Sequence, residues 1–466
     1  MTQRAVATTA PAARIFQIDI SWPARALSIL RLTDYMLVMG CGVTAIGILA
    51  SLVTSTKGDA TTWWVGVPMA ALLGYAAYTG WRHLGTIDPR VWRAYLVVFT
   101  LLVLGGTLLG AGLWVSDPAP EAEQRDRIVL YVLIVWMILL SVPAMICVLV
   151  LRGARVSPFG IRLKALVDQV RELGRAPLKA GLRVPCIDRR RGALYVAIAI
   201  CVVALEVALP TPSDPNTARS LDRIYPQFTL LACYLLFRAR RYFQIDADVL
   251  LKLDPRPPVL FLRSFDDDEK LSFSRADKAL LDFSLETRLT NHFHRHGPFI
   301  AIGSPKEKVP QVGAARVLLP DDQWQERVLG WMRGAALVVM YAGRTPWVNW
   351  ELARVIENPG ATRLLLLVPE IKGWRRARRQ DELQARYGQL REAFAGTPWH
   401  EELMAWDDVA GLRAMIFNAD GSMVMIRSNS RSRDSYHLAA LVAHYVLLAR
   451  VTFPEELSMR PARPSP

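Results

Sequence analysis

Glu351 is the residue of this chain best placed to do chemistry. It lies in RTPWVNWELARVIE, Arg344 to Glu357, where Trp347 and Trp350 precede a lone carboxylate at the start of a predicted helix. A positioned carboxylate can stabilise positive charge that develops in a transition state. The competing role is structural. A carboxylate in the first turn of a helix is favoured by the macrodipole, by about 0.3–1 kcal/mol. Trp347 has two readings of its own, a substrate contact or an anchor packed under the sheet edge. Other residues offer less. NHFHRHG places His292, His294 and His296 at alternate positions, with no carboxylate or cysteine pattern beside them to complete a metal set. Lys306 and Lys308 in SPKEK could grip a phosphate or lie solvated. Neither a metal nor a bound cofactor is expected.

The elements that would position Glu351 are read from residue 257 onward. PVLFLRSF, PFIAIG, ALVVMYAG and TRLLLLVPE are short continuous apolar runs of the kind buried parallel strands show. Helical patterns alternate with them: RADKALLDFSLETRLTNHFHRHG, DDQWQERVLGWMRGA and WVNWELARVIEN. This alternation predicts an α/β domain with a mainly parallel sheet. AMIFNADGSMVMI reads as two strands around an Asp-Gly turn, and DSYHLAALVAHYVLLAR as a closing helix capped by Asp434 or Ser435. Ligands of such sheets bind beyond the carboxyl ends of the strands, where RSFDDDE, GSPKEKVPQVGAAR and YAGRTPWVNWE fall.

The N-terminal half reads differently. The chain has 466 residues, a formal charge of +14 and a hydrophobic fraction of 52%. Its apolar residues gather before residue 240 in blocks about 20 long, the length that spans a hydrocarbon core. Six spans are predicted, at 33–53, 62–81, 92–115, 128–151, 192–210 and 224–240. Lys and Arg fall on every second loop, which implies an inner-membrane, multi-pass protein with both termini cytosolic. The expected organisation is a cytosolic tail at 1–32, an α-helical multi-pass bundle at 33–240, a Pro-rich linker at 241–256, the cytosolic α/β domain at 257–455 and a disordered end at 456–466. Gly106 and Gly110 offer a close-packing step for helices, and Glu206 is the acidic residue within a span. The 152–191 loop carries an amphipathic helix, Leu163, Leu166, Val167 and Val170 on one side, that lies on anionic lipid or packs on the domain. The GWRRARR stretch is basic enough to touch phospholipid or nucleic acid, and its position beside the expected membrane favours lipid, or no contact at all. Five cysteines without paired spacing exclude a disulfide framework, and no nucleic-acid partner is expected.

From 257 to about 370 the arrangement resembles a Toll/interleukin-1 receptor (TIR) domain. The most specific motif is the junction after the third strand, where the family has a small hydroxyl residue, any residue, Trp, often Cys, two residues, then Glu-Leu. Thr345, Pro346, Trp347, Val348, Asn349, Trp350, Glu351 and Leu352 follow it, with Val348 where Cys is frequent. VLFLRSFDDD resembles the family's first-strand box, with Phe265 and Asp266 as the aromatic residue and acid that follow the strand. The loop after the second strand departs from the family pattern and leaves pocket shape and mode of assembly open.

The resemblance implies an activity. Many bacterial TIR domains cleave NAD at the nicotinamide–ribose bond with the helix glutamate as catalytic residue, a role that carries to Glu351. Arg263, Phe265, Asp266 and Trp347 would then line the substrate, and NAD is a substrate rather than a cofactor. Nicotinamide leaves as a neutral molecule from a cationic ring, so one carboxylate facing an oxocarbenium-like ribose suffices. Self-association commonly accompanies such activity. Two other roles are compatible with the sequence: a non-catalytic TIR-like interaction scaffold, and a transporter with a regulatory domain.

Overall fold

The computed structural model describes residues 15–54, 60–84, 86–89, 91–97, 99–100, 104, 135, 141–156, 161–173, 188–208, 215–264, 284–303, 312–317, 319, 323–369 and 376–452. Strands β4 (Val259–Leu262), β5 (Phe299–Ile302), β6 (Ala315–Val317), β7 (Leu337–Tyr341) and β8 (Leu364–Leu367) are mutually parallel. β9 (Leu412–Phe417) pairs antiparallel with β8 and with β10 (Met423–Arg427), and Gly421 at φ 81° makes the turn between them. Together with β1 (Ile15–Asp19) they form one mixed sheet of eight strands in the order β1-β10-β9-β8-β7-β4-β5-β6, while β2 (Arg155–Val156) and β3 (Ile161–Arg162) make a separate antiparallel pair.

The strands are apolar at successive positions because both faces are covered. Val259, Phe261, Val339, Leu365 and Ile416 enter one core layer, while Leu260, Leu262, Val338, Leu366 and Phe417 enter the other. That division follows from the period-two alternation of side chains along a strand. The first layer is closed by the helices α1 (Ser21–Thr54), α3 (Leu163–Leu173), α7 (Leu285–Phe293) and α12 (Arg433–Thr452). The second is closed by α6 (Ala247–Leu253), α8 (Trp324–Gly334), α9 (Pro346–Val355), α10 (Arg376–Ala393) and α11 (His400–Ala405). α2 (Ala60–Leu84) also reaches the first layer through Leu73 and Ala76, and the remaining named helices are α4 (Arg189–Ala208) and α5 (Pro215–Tyr242).

The expected six-span membrane bundle is corrected by these helices. Among the described residues no helix is long and apolar enough to cross a membrane. The 33–53 stretch is the continuation of α1, whose opening turns bury Ala24, Leu27 and Leu30 in the domain core. The 62–81 stretch lies in α2, which brings buried Thr79 and His83 into a polar network. α4 opens with Arg189, Arg190 and Arg191, and α5 carries Arg219, Asp222 and Arg223 near one end and Arg238, Arg240 and Arg241 at the other. Most of 92–115 and 128–151, with Gly106 and Gly110, lies outside the described residues. The multi-pass, inner-membrane placement, drawn from loop charges, loses its premise, and so does Glu206 as an intramembrane acid. The apolar face of α3 packs on the domain, with Leu163, Leu166, Val167 and Val170 in the core.

Residues 15–19, inside the stretch read as a tail, form a strand parallel to β10, with Ile15 opposite Met423 and Asp19 opposite Arg427. The join continues past the strand. Ser21 Oγ accepts from the Asn429 amide at 2.9 Å, and Ser28 Oγ meets Ser432 Oγ at 2.7 Å. Arg31 Nε then donates to Asp434 Oδ1 at 3.2 Å while its Nη2 donates to the Thr86 carbonyl at 2.8 Å. Arg288 of α7 donates to the same carboxylate oxygen of Asp434. One layer further out, His83 Nδ1 is 2.6 Å from Asp34 Oδ2, Trp92 Nε1 donates to His83 Nε2 at 3.1 Å, and Tyr95 donates to Asp34. The Trp92 contact fixes the proton of a neutral His83 on Nδ1, facing the carboxylate.

Burial by itself would raise the Asp434 carboxyl; Arg288 and Arg31 outweigh it and hold it below its ordinary value. A carboxyl depressed in the folded state stabilises above its unfolded value, and the contribution is lost as pH falls through the folded one. Asp434→Asn leaves two buried guanidinium groups without their counter-charge. It is expected to destabilise the fold by about 3–5 kcal/mol at neutral pH and to flatten the loss of stability below pH about 4, both measured by denaturant unfolding.

Candidate functional site

The chain leaves β4 for β5 and β6 on one side, then returns to place β7 on the other side of β4. The strand order therefore reverses between the carboxyl ends of β4 and β7, the position where open α/β sheets hold ligands. Arg263 follows β4, and the loop that leads to Glu351 follows β7.

The local fold after β7 is set by its residues. The Ala342 amide donates to the Leu367 carbonyl at 2.8 Å, extending the ladder by one rung. Thr345 is extended and caps α9, its side chain accepting from the Val348 amide at 3.4 Å, with Pro346 at the first helical position. Proline is favoured there because its missing N–H would have no helical partner. Glu351 lies six residues past the cap, in the second turn, and the first turn holds no acidic residue. The macrodipole acts within the first turn, so it does not account for this carboxyl.

Glu351 shares the buried face of α9 with Val348, Leu352 and Val355. It is 8% exposed and has neither a hydrogen bond nor an ion pair with any described residue. Burial pushes its carboxyl up to about 8. At neutral pH it is an un-ionised acid, able to donate one hydrogen bond and to become a carboxylate when a cation approaches.

The two tryptophans do not enclose it. Trp347 is 56% exposed. Its ring stands edge-on to Trp324 of α8 at 5.4 Å, and Trp350 meets the same Trp324 ring at 5.5 Å. Trp347 is thus part of an outward aromatic group rather than an anchor beneath the sheet. Arg263 is buried, its Nε 3.6 Å from Glu286 Oε2. Glu286 also accepts from Arg316 Nη2 at 2.7 and 2.6 Å, one contact to each oxygen, and from the Ala314 amide at 3.0 Å. Burial would raise Glu286; Arg316 and Arg263 outweigh it and lower it. Gly313, at φ 156°, lets the backbone run against this carboxylate, since a Cβ there would lie 2.5 Å from Glu286 Oε1. Arg263 is therefore tied to a buried ion-pair cluster at the sheet edge. Phe265 and Asp266 lie outside the described residues, as do Lys306 and Lys308.

Two residues that brace the site were not singled out in the sequence. Arg386 of α10, 1% exposed, donates to the Ala342 carbonyl at 3.1 Å and pairs with Glu382 at 3.3 Å. Glu382 in turn accepts from Arg344 at 2.8 Å. The signal was present in Leu383, Tyr387 and Leu390, the helical-period residues that seat α10 in the core. His292 and His296 come within 6.0 Å of each other, and His444 of α12 inserts against both.

No family model, curated protein or solved structure matches this chain. What the site does has to be read from its own residues.

The exposure of Trp347 has a direct consequence. Trp347→Ala is expected to change unfolding free energy by less than about 1 kcal/mol, as at other surface positions. A buried anchor would lose about 3–5 kcal/mol, so a loss of that size in chemical denaturation would show that the ring is a core element.

Proposed function

We propose that the α/β domain is a TIR-like enzyme that hydrolyses NAD at the nicotinamide–ribose bond, with Glu351 as its catalytic carboxylate. The observation that carries this reading is a buried carboxyl with no hydrogen-bond or ion-pair partner among the described residues, on the helix after β7, where the strand order reverses. An unpaired buried acid lowers stability and satisfies no neighbour. Residues of that kind concentrate where a ligand supplies the missing partner.

The chemistry follows from the charge of the substrate. The C1′–N bond breaks with both electrons going to the pyridinium nitrogen, so nicotinamide leaves neutral. Positive charge grows on the ribose ring as it does in glycoside hydrolysis. Ionised Glu351 stabilises that charge at short range in a site with little water. Water then adds at C1′ and releases a proton, giving ADP-ribose. The cationic ring of bound NAD favours the carboxylate over the acid, and so shifts Glu351 toward its active form on binding.

A second reading is favoured by the exposed Trp347, which stands against the half-buried Trp324 ring that Trp350 also meets. Exposed aromatic residues are enriched in binding hot spots. In that case the domain is a non-catalytic interaction module that assembles with other copies or with similar domains.

Stability and activity separate these readings. Glu351 has a raised folded value, so between pH about 4.5 and about 8 the folded chain holds a proton that the unfolded chain has released. Stability contributed by the protonated form is full at the lower end of that window and falls as pH rises through it, by about 1.36 kcal/mol per unit. Glu351→Gln is expected to lack this slope and to be more stable by a few kcal/mol at pH 7.5. NAD consumption by the native chain, clustered on beads, should rise through pH 8, and the Gln form should show none. Cleavage retained in Glu351→Gln would remove Glu351 from the chemistry. No cleavage by either form, with the stability slope present, would assign the domain to the interaction module.

A further inference from the structure

On the opposite face of the sheet from Glu351, four of the chain's seven histidines gather where the end of α7 lies against α12. His292 and His296 come from α7 and the turn after it, His437 and His444 from α12. The His444 ring is 5.0 Å from that of His292 and 4.1 Å from that of His296, and His437 is 6.5 Å from His292. Among the described residues no three His, Cys, Asp or Glu side chains are placed to hold a metal ion, and these rings meet one another instead. His437 and His444 are buried, whereas His292 and His296 are half-buried beside a cleft shared with α3 and residues 86–87. Solvent therefore reaches the group from the α7 side.

The packing suits uncharged rings. His292 Nε2 and His444 Nδ1 share a hydrogen bond at 2.8 Å, which needs one donor and one acceptor and is lost when both rings are protonated. His437 Nδ1 and His296 Nε2 make no hydrogen bond, so a proton there gains no acceptor. The surroundings supply no free counter-charge. His294 and Arg295 follow on the turn, and Arg256, paired with Asp254, donates to their carbonyls at 3.0 and 2.5 Å. From α3, Arg171 reaches the cleft while holding Asp88 at 2.7 Å. Asp434 of α12 is taken by Arg31 of α1 and Arg288 of α7, Glu286 of α7 by Arg316 and Arg263, and Asp34 of α1 by His83 of α2 and Tyr95. No carboxylate lines the cleft. Burial first, and these neighbouring cations second, hold all four imidazoles below their ordinary value, His296 at about 4.

We propose that the four imidazoles form an acid-responsive catch: neutral, they hold the end of α7 against α12, and protonated, they drive the two apart. The sign follows from where protons bind more readily. A released imidazole takes its proton near pH 6.5, and the packed group takes it only at lower pH. Docking is therefore complete above pH about 6.5 and is lost as pH falls toward about 4. Each imidazole that must charge multiplies the opening equilibrium by up to about tenfold per pH unit, and several acting together multiply one another's effect.

The test is hydrogen exchange of the full chain between pH 7 and pH 5, corrected for the intrinsic pH dependence of exchange. It is made in Glu351→Gln, because Glu351 acts on stability in the opposite sense over the same range. Amides of residues 290–297 and 437–444 should lose protection by more than about tenfold between pH 6 and pH 5, a change that one imidazole by itself does not reach. Those of β7 and β8 should stay protected. His296→Phe and His437→Phe replace rings with an unbonded nitrogen, and each should lessen the pH dependence by the share of one proton, up to about tenfold per unit. His296 is half-buried, so its variant keeps the test decisive if His437→Phe fails to fold. Protection that is unchanged from pH 7 to pH 5, that falls equally in β7 and β8, or that keeps its full pH dependence in His296→Phe would overturn the proposal.

Discussion

The fold depends on one buried carboxylate. Asp434, in the first turn of α12, takes a guanidinium from α1 and another from α7, and Arg31 passes the connection on to the Thr86 carbonyl. Elements from the beginning, the middle and the end of the chain are therefore held by the charge balance of one side chain. Two cations on one anion leave a positive excess. Part of it is met by Asp34, 4.0 Å from Arg31 Nη1, which also receives His83 and Tyr95. Removing any member leaves a charge or a donor stranded away from water, which is why such networks are lost as units rather than piece by piece.

The other buried carboxyl groups show how differently the same chemical group can be treated. Glu286 is enclosed by Arg263, Arg316 and a backbone amide, and is held in its charged form. Glu351 is buried to a similar degree with no partner among the described residues and is held neutral by that burial. Two carboxyl groups driven in opposite directions by their surroundings mark a division of labour. One closes the sheet edge at β6, and the other is left available beside the reversal of strand order.

Much of the α/β core could be read from the residues. VLFL, FIAI, LVVMY and LLLL are strands because a sheet buried on both faces tolerates no polar position, and the hairpin around Asp420 and Gly421 follows from its turn residues. The helix read from Trp347 onward is α9, which begins one residue earlier at Pro346, yet the side to which Glu351 turns depends on where the sheet lies, which spacing does not encode. Other features were hidden for a physical reason. IFQID carries little strand signal by itself, and its partner is the remote hairpin strand β10. Hydropathy measures how apolar a segment is, and not whether lipid or protein covers it, so 33–53 and 62–81 read as spans although Cys41, Leu73 and Ala76 belong to the protein interior. His444 could not be joined to His292 and His296 before α12 was laid against α7.

The parallel pairing of β1 with β10 has a consequence in time. Ser21 and Asn429, bonded just beyond that pair, are separated by 408 positions. At a synthesis rate of about 5–20 residues per second, roughly 20 to 80 s pass between the emergence of the first strand and that of its partner. Throughout that interval Ile15, Phe16 and Ile18 have no sheet to join, and Arg31 has no Asp434. The domain cannot be completed from the N-terminus onward. Its closing step is a long-range encounter of the kind that slows folding, and the nascent chain has to carry an unpaired apolar strand until its last helix is made.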